Sequence, residues 1–382
     1  MTQESVACPC HACIRLHPER TLAQQEGGKG HNRWHPDIAP AVRVASGSIF
    51  EMQTIDGLDR QIQAGTTAED LLSVDMGRIH PLTGPVHVEG AEPGDLLAVR
   101  IQAVDTADRG FTMIMPGFGF LREHFTQPFL VHWEMSGGFA YSRELPGVRI
   151  PGAPFMGVMG VAPSHELLAR INTREADLLG RGGAVVPPSA GSAIPADPTI
   201  AGNALRTIAP HETGGNVDIK QLTVGATLYL PVYQPGALFS VGDAHFAQGD
   251  GESCGTAVET SATFVATFEL LKGEARRRGQ CDPSFEHPGY FTSPEMAAPR
   301  RFYATTGTSI SRDGLRNESE SLTIAAQNAL LNMIDYLVDS RGFTREQAYC
   351  LTSVAVDLKV SQVVDVPNLI VSAFLPLDIF AA

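Results

Sequence analysis

Residues 84–104, GPVHVEGAEPGDLLAVRIQAV, decide the class of fold. Val86 and Val88 alternate with polar or small neighbours, the EPGD run at 92–95 is turn chemistry, and Leu97, Val99 and Ile101 alternate again. Residues two apart share one face of an extended strand, so the stretch predicts strand, turn, strand. The same texture spreads outward. Residues 41–57 alternate up to a glycine turn, 148–163 add short strands broken by glycine and proline, and 261–273 alternate once more. The 38 glycines and 26 prolines suit many short strands joined by turns better than a helical bundle.

Helical periodicity is confined to later parts of the chain. Leu322, Ala325, Ala329, Met333 and Leu337 fall on one helix face and Gly342 stops it, while Thr344 opens a second helix. Residues 369–380 return to strand. The expected fold class is mainly β, sandwich-like or barrel-like, with an α+β C-terminal part. Its expected divisions are a peripheral segment 1–36, a β-rich domain 37–272 with an irregular or helical excursion near 164–200, and 273–382 as an insertion plus the α+β portion.

The chain has 382 residues, is 43% hydrophobic and carries a formal charge of −14, which describes a globular protein with a sizeable core. That charge disfavours general affinity for nucleic acid or an anionic membrane, both of which need a positive surface. No run of about 18 apolar residues marks a membrane span, and the N-terminal residues lack a secretory pattern. A cytoplasmic protein with reduced thiols is the expectation. Cys8, Cys10 and Cys13 surround His11 in CPCHAC but have no second paired motif, so an unpaired tail segment is favoured over a metal site.

The chemistry concentrates in GDAHFAQGDGESCGTAVE, residues 242–259, where Asp243, His245, Glu252, Cys254 and Glu259 are spaced by glycines. If 241–246 is a strand, Asp243 and His245 point to one face and can share an ion. A solvated hairpin tip is the plain alternative. Against it stands GGNVDIKQL at 214–222, a second glycine-rich tip with Asp218 and Lys220, expected to pair with the strand ending at 243. Carboxylates with imidazole suit a divalent metal, zinc first and calcium second. The expected metal ligands are Asp243 and His245, joined by Asp218, Glu259 or His80. Glu252 is the expected proton carrier, and glycine N–H groups near 249–255 are the expected oxyanion donors. A competing set makes Cys254 a nucleophile helped by Glu252 and Lys220, against a plain buried thiol. Trp34, Phe118, Phe120 and Phe246 are candidates for an apolar pocket wall.

The ordered set HNRWHPD (31–37), GPVHVEGAEPGDLLAVRI (84–101), GVMGVAPS (157–164), NTREADLLGRGGAVVPP (172–188), GGNVDIKQL, GDAHFAQGDGESCGTAVE and YATTG (303–307) resembles the acetamidase/formamidase family, in its longer, formamidase-like branch. The likeness runs from about residue 31 to the C-terminus. It implies hydrolysis of a small-molecule amide such as formamide or acetamide to carboxylate and ammonia, a β-rich architecture, a homo-oligomer and an associated divalent metal. Two features depart from the family pattern: the CPCHAC segment, and the long stretch 275–301, which bears on the size of the substrate. A non-catalytic, small-molecule-binding β-sandwich is the rival from another class.

Overall fold

The structure, a computed structural model, describes residues 12–289 and 301–380. Cys8, Cys10 and His11 lie outside the described residues, and Cys13 is exposed.

The quoted stretch forms the strands Leu82–Val88 and Leu96–Thr106, but they enter different sheets. Leu96–Thr106 is central in a six-stranded sheet, between Ala262–Leu271 and Thr227–Pro231. The Ile49–Thr54 strand lies beyond Ala262–Leu271, and its Phe50, Met52 and Thr54 are buried while the intervening residues are half-buried. Leu82–Val88 joins an eleven-stranded sheet that also contains Phe155–Gly160 and Phe239–His245.

One core is shared by the two sheets: Phe50, Met52, Val99, Phe264 and Phe268 from the first meet Val86, Met156, Phe239 and Val241 from the second. This is sandwich packing, with alternate residues of each strand turned inward. Phe155–Gly160 and Phe239–His245 are buried at every position, because both faces of these strands are covered.

The C-terminal part is α+β. Its strands Phe302–Thr308, Ile370–Pro376 and Asp357–Gln362 form a separate three-stranded sheet. The helix Leu322–Arg341 lies so close to it that a Cβ on Gly307 would meet the Ala325 carbonyl oxygen at 2.1 Å. Gly342 ends this helix with φ of 71°, where glycine carries no steric penalty. Thr344 caps the helix Arg345–Ala355 through a capping box with Gln347. Ala325, Leu330, Met333, Tyr349 and Leu351 of the two helices share a second core with Val131, Trp133 and Ile150 of the larger sheet.

The excursion near 164–200 begins as the helix His165–Gly180, capped by Ser164. The chain after it is fastened down. Arg33 is fully buried and donates to the carbonyl oxygens of Ser189, Gly191 and Gly77. Residues 12–36, set apart above as peripheral, are tied to both sheets: Ala12–Ile14 runs parallel to Ile49–Thr54, and Gly30–His31 pairs with Leu82–Val88.

Candidate active site

The strand Phe239–His245 carries the centre of the site. It turns back through residues 246–258 and pairs antiparallel with Glu259–Thr260, placing His245 directly opposite Glu259. Facing residues of a non-local pair have their Cβ atoms about 4.5–5.5 Å apart, and His245 Nε2 lies 3.2 Å from Glu259 Oε1. The connection is indeed a hairpin loop, but it is no solvated tip. Phe246, Gln248, Ser253, Cys254, Thr256 and Val258 are buried, covered in part by the helix Arg345–Ala355. Gly249 N–H donates to the Ser353 carbonyl, Cys254 N–H to Ser353 Oγ, and the Tyr349 hydroxyl to the Ser253 carbonyl.

Asp218 arrives from the side. The expected pairing of residues 214–222 with the strand ending at 243 does not occur. Phe155–Gly160 lies between, with Val158 facing Asn216 on one flank and Gly242 on the other. The acids still meet because Gly157 has no side chain. A Cβ there would sit 2.6 Å from Asp218 Oδ1, 2.8 Å from His245 Cε1 and 2.9 Å from Asp243 Oδ2. Gly57 plays the same part on the other side, where a Cβ would fall 2.0 Å from Asp243 Oδ1 and 3.3 Å from His80 Cδ2. His80 lies two residues before the strand that flanks Gly242, and its Nε2 is 3.8 Å from Asp243 Oδ2.

The structure thus brings together Asp218, Asp243, His245, Glu252, Glu259 and His80. Potential ligand atoms of Asp218, Asp243 and His245 lie within 4.8 Å of one another, as do those of His245, Glu252 and Glu259. Three of the acids hold left-handed backbone: φ is 45° at Asp218, 57° at Asp243 and 42° at Glu252. Such conformations cost non-glycine residues free energy and cluster at functional sites. Asp243, His245 and Glu259 are buried, whereas Asp218 and Glu252 keep partial exposure and mark the open side.

Electrostatics makes four bare carboxylates untenable here. Burial raises Asp218 to about 7 and Glu259 to about 8; His245 opposes the rise and Asp243 adds to it. Burial, then the charge of Asp218, pushes Glu252 well above the usual carboxylate range. Burial would raise Asp243 too, but His80 and His245 hold it well below that range. Burial disfavours the charged form of His245, yet Glu259 and Asp243 lift its pKa well above the ordinary value. His80 is lowered by burial, against the pull of Asp243. The cluster must take up protons or a cation.

Asp218 Oδ1, His245 Nε2 and Glu259 Oε2 are buried without a hydrogen-bond partner. His245 Nε2 is close to Glu259 Oε1 but misaligned for a hydrogen bond. Buried polar atoms are rarely left unpaired, and all three belong to this cluster, Asp218 and Glu259 each falling in a group with His245 whose potential ligand atoms lie within 4.8 Å. Two oxygens and one imidazole nitrogen are a donor set that fits a divalent cation.

The remaining candidates lie elsewhere. Cys254 packs in the core shared with the C-terminal helices, its sulfur 3.4 Å from the Met113 carbonyl oxygen and 3.6 Å from that of Thr256. Burial pushes this thiol up, but hydrogen bonds with Cys350 and Ser353 bring it to about 7. None of its hydrogen-bond partners among the described residues is an acid of the cluster. Lys220 Nζ is 2.6 Å from Asp357 Oδ1, beside a cavity of about 200 Å³ that Gln248, Ala247, Val354 and Phe374 also line. A larger cavity, about 790 Å³, is lined by Arg60, Arg109, His132 and Glu134 and contains none of the cluster's acids.

Of the glycines expected as oxyanion donors, Gly249 and Gly255 have engaged N–H groups, which with those of Asp250, Glu252 and Cys254 hold this loop together or tie it to the helix and Asp357, whereas Gly251 is exposed. Of the expected pocket wall, Trp34 and Phe246 are buried in core clusters; the aromatic ring against His245 is Phe155, at 5.0 Å and edge-on. His31 has both ring nitrogens satisfied, by the Arg33 carbonyl and Ser240 Oγ. Gly57, Gly157 and Phe155 were not singled out from sequence. A glycine inside the apolar run FMGVMG is the signal for Gly157, since strand glycines mark close approach.

The model of the Acetamidase/Formamidase family matches residues 15–382. The chain is 36% identical to a formamidase of Methylophilus methylotrophus, over 93% of this chain and 90% of that protein. It is 37% identical to an acetamidase of Mycolicibacterium smegmatis over 84% of each. The solved structure of a gamma lactamase from Delftia acidovorans superposes with a TM-score of 0.89, at 36% identity, covering 97% of this chain and 93% of that one. The chain belongs to the Acetamidase/Formamidase family, a family of amidohydrolases.

Proposed function

We propose that this protein hydrolyses short-chain amides, formamide or acetamide, to the carboxylate and ammonia at the Asp218–Asp243–His245–Glu252–Glu259 cluster with a divalent metal, zinc first. The observation that carries the metal is that three buried ligand atoms of this one cluster, Asp218 Oδ1, His245 Nε2 and Glu259 Oε2, have no hydrogen-bond partner. Asp218, Asp243, His245 and Glu259 would hold the ion, with His80 at the edge of the set. A divalent cation supplies Lewis acidity, lowering the pKa of water and polarising a carbonyl.

The protein's own residues do the rest. Glu252, half-buried on the open side and with an elevated pKa, takes a proton from the attacking water and returns one to the departing nitrogen, because ammonia leaves only when protonated. Asp218 and Glu259 keep the His245 ring fixed between charges. His80 Nδ1 lies 3.2 Å from the Thr207 carbonyl and must donate to it, which turns Nε2 towards Asp243. Burial of Asp243, His245 and Glu259 excludes water from one side of the reacting carbon.

The test is ammonia release from formamide, acetamide, a longer linear amide and a five-membered lactam, the last because the Delftia relative is named as a gamma lactamase. Turnover of the two short amides that disappears in Glu252→Gln supports the reading. Saturable binding of amides without any ammonia would replace it with a binding role. A homo-oligomer belongs to the same proposal and is checked by light scattering. No helix among the described residues is long and apolar enough to cross a membrane.

A further inference from the structure

Gln248 follows His245 by three residues and is buried. Its side-chain amide makes two bonds, one to each half of the candidate site. Nε2 donates to the backbone carbonyl of Asp218 at 2.8 Å, and Oε1 is 3.0 Å from His245 Nδ1. A carbonyl oxygen can only accept, so the end of the amide facing Asp218 has to be the NH₂ group. The other end is then an oxygen, and only a protonated Nδ1 can satisfy it. Flipping the amide would set two carbonyl oxygens against each other.

The ring is therefore fixed with its hydrogen on Nδ1. Its Nε2 is the nitrogen that faces Asp243 and Glu259, at 3.5 and 3.2 Å, and it has no hydrogen-bond partner. Phe155 packs edge-on against the ring, with centroids 5.0 Å apart and planes at 90°.

We propose that Gln248 is the positioning residue of the site: it holds His245 as the Nδ1–H form, so that Nε2 is the atom offered to a divalent cation, and it ties Asp218 to His245 at a fixed separation. The inference rests on the metal reading above. His80 is arranged in the same sense by the Thr207 carbonyl, an anchor no side-chain substitution removes. Gln248 is the anchor that can be removed. Groups that orient a metal-bound imidazole through its other nitrogen change metal affinity by about 10–100-fold when lost.

The experiment uses the full chain, stripped with a chelator, and measures Zn²⁺ affinity by competition with a chromophoric chelator. Gln248→Leu keeps the volume and removes both bonds; it should bind zinc about 10–100-fold more weakly than the parent. Gln248→Glu keeps an oxygen opposite Nδ1 and should recover part of that loss. Because Gln248 is buried and its replacement can disturb folding, the parent itself is also read: in the zinc-loaded, ¹⁵N-histidine-labelled protein, His245 should show a metal-shifted Nε2 and a protonated Nδ1. Equal affinity in folded Gln248→Leu, or metal on Nδ1, overturns the role of Gln248 while leaving the metal reading standing. If the parent binds no divalent ion, both fall together.

Discussion

Single side chains around the cluster divide into groups that hold reacting atoms and groups that only occupy space. Glu252→Gln cannot carry a proton and should lower kcat about 10²–10⁴-fold while zinc still binds; a rise in KM alone would assign Glu252 to binding. Cys254→Ala removes a sulfur whose hydrogen-bond partners lie in the core, so turnover should stay near the parent level, with a stability loss of about 1 kcal/mol read by denaturant melts. Collapse of turnover in a folded Cys254→Ala would restore the covalent alternative. Gly157→Ala should be costly in a different way. Its Cβ would sit within 3 Å of Asp218, His245 and Asp243, so zinc affinity should fall sharply although no ligand is altered. Overpacking of this kind costs typically about 1–3 kcal/mol.

At the scale of elements, the loop that bears Glu252 takes its shape from the helix Arg345–Ala355. Ser353 contributes most: its Oγ accepts from Cys254 N–H and donates to the Thr256 carbonyl, and its own carbonyl accepts from Gly249 N–H. Ser353→Ala leaves the buried Cys254 N–H unpaired and the Thr256 carbonyl with only the weak Cys254 thiol donor. It should cost about 1–3 kcal/mol in a thermal or denaturant melt and lower kcat, with KM changed less. Unchanged kcat would mean that the helix merely covers the loop.

This dependence also shows where the sequence was legible. Asp243 and His245 share a face because strand alternation is local, and the pattern in 242–259 displays it. Helix caps at Thr344 and Gly342 were legible for the same reason. The partnership of residues 246–258 with a helix about a hundred residues later was not, because no local period encodes it. Direct pairing of 214–222 with the 239–245 strand failed similarly: Phe155–Gly160 slips between them, and only its glycine hints that something approaches closely. The oxyanion role expected of the Gly249 and Gly255 N–H groups treated these two donors as free, whereas a buried loop must satisfy its own backbone first.

At the scale of the whole molecule, the cluster couples stability to pH and to metal. Asp218 and Glu259 have folded-state values of about 7 and about 8, above their ordinary values of 3.8 and 4.5. A carboxyl raised on folding contributes stability that is present below its unfolded pKa and lost as pH rises through its folded pKa. His245, raised well above 6.5, acts in the same sense; Asp243, held low, contributes stability that is lost only in strong acid. The metal-free protein should therefore lose Tm as pH rises from about 5 to about 9. A bound cation replaces the protons, so the gain in Tm on adding zinc should be larger at pH 8 than at pH 6. A gain independent of pH would place the ion away from these groups.

Whether the reaction needs the ion is decided by ammonia release from formamide by one preparation in three states: as purified, stripped by a chelator, and restored with stoichiometric zinc. Turnover should be lost on stripping and return with zinc in the parent protein, and should not return in Glu252→Gln. Undiminished turnover in the stripped protein, abolished by Cys254→Ala, would contradict metal-assisted hydrolysis.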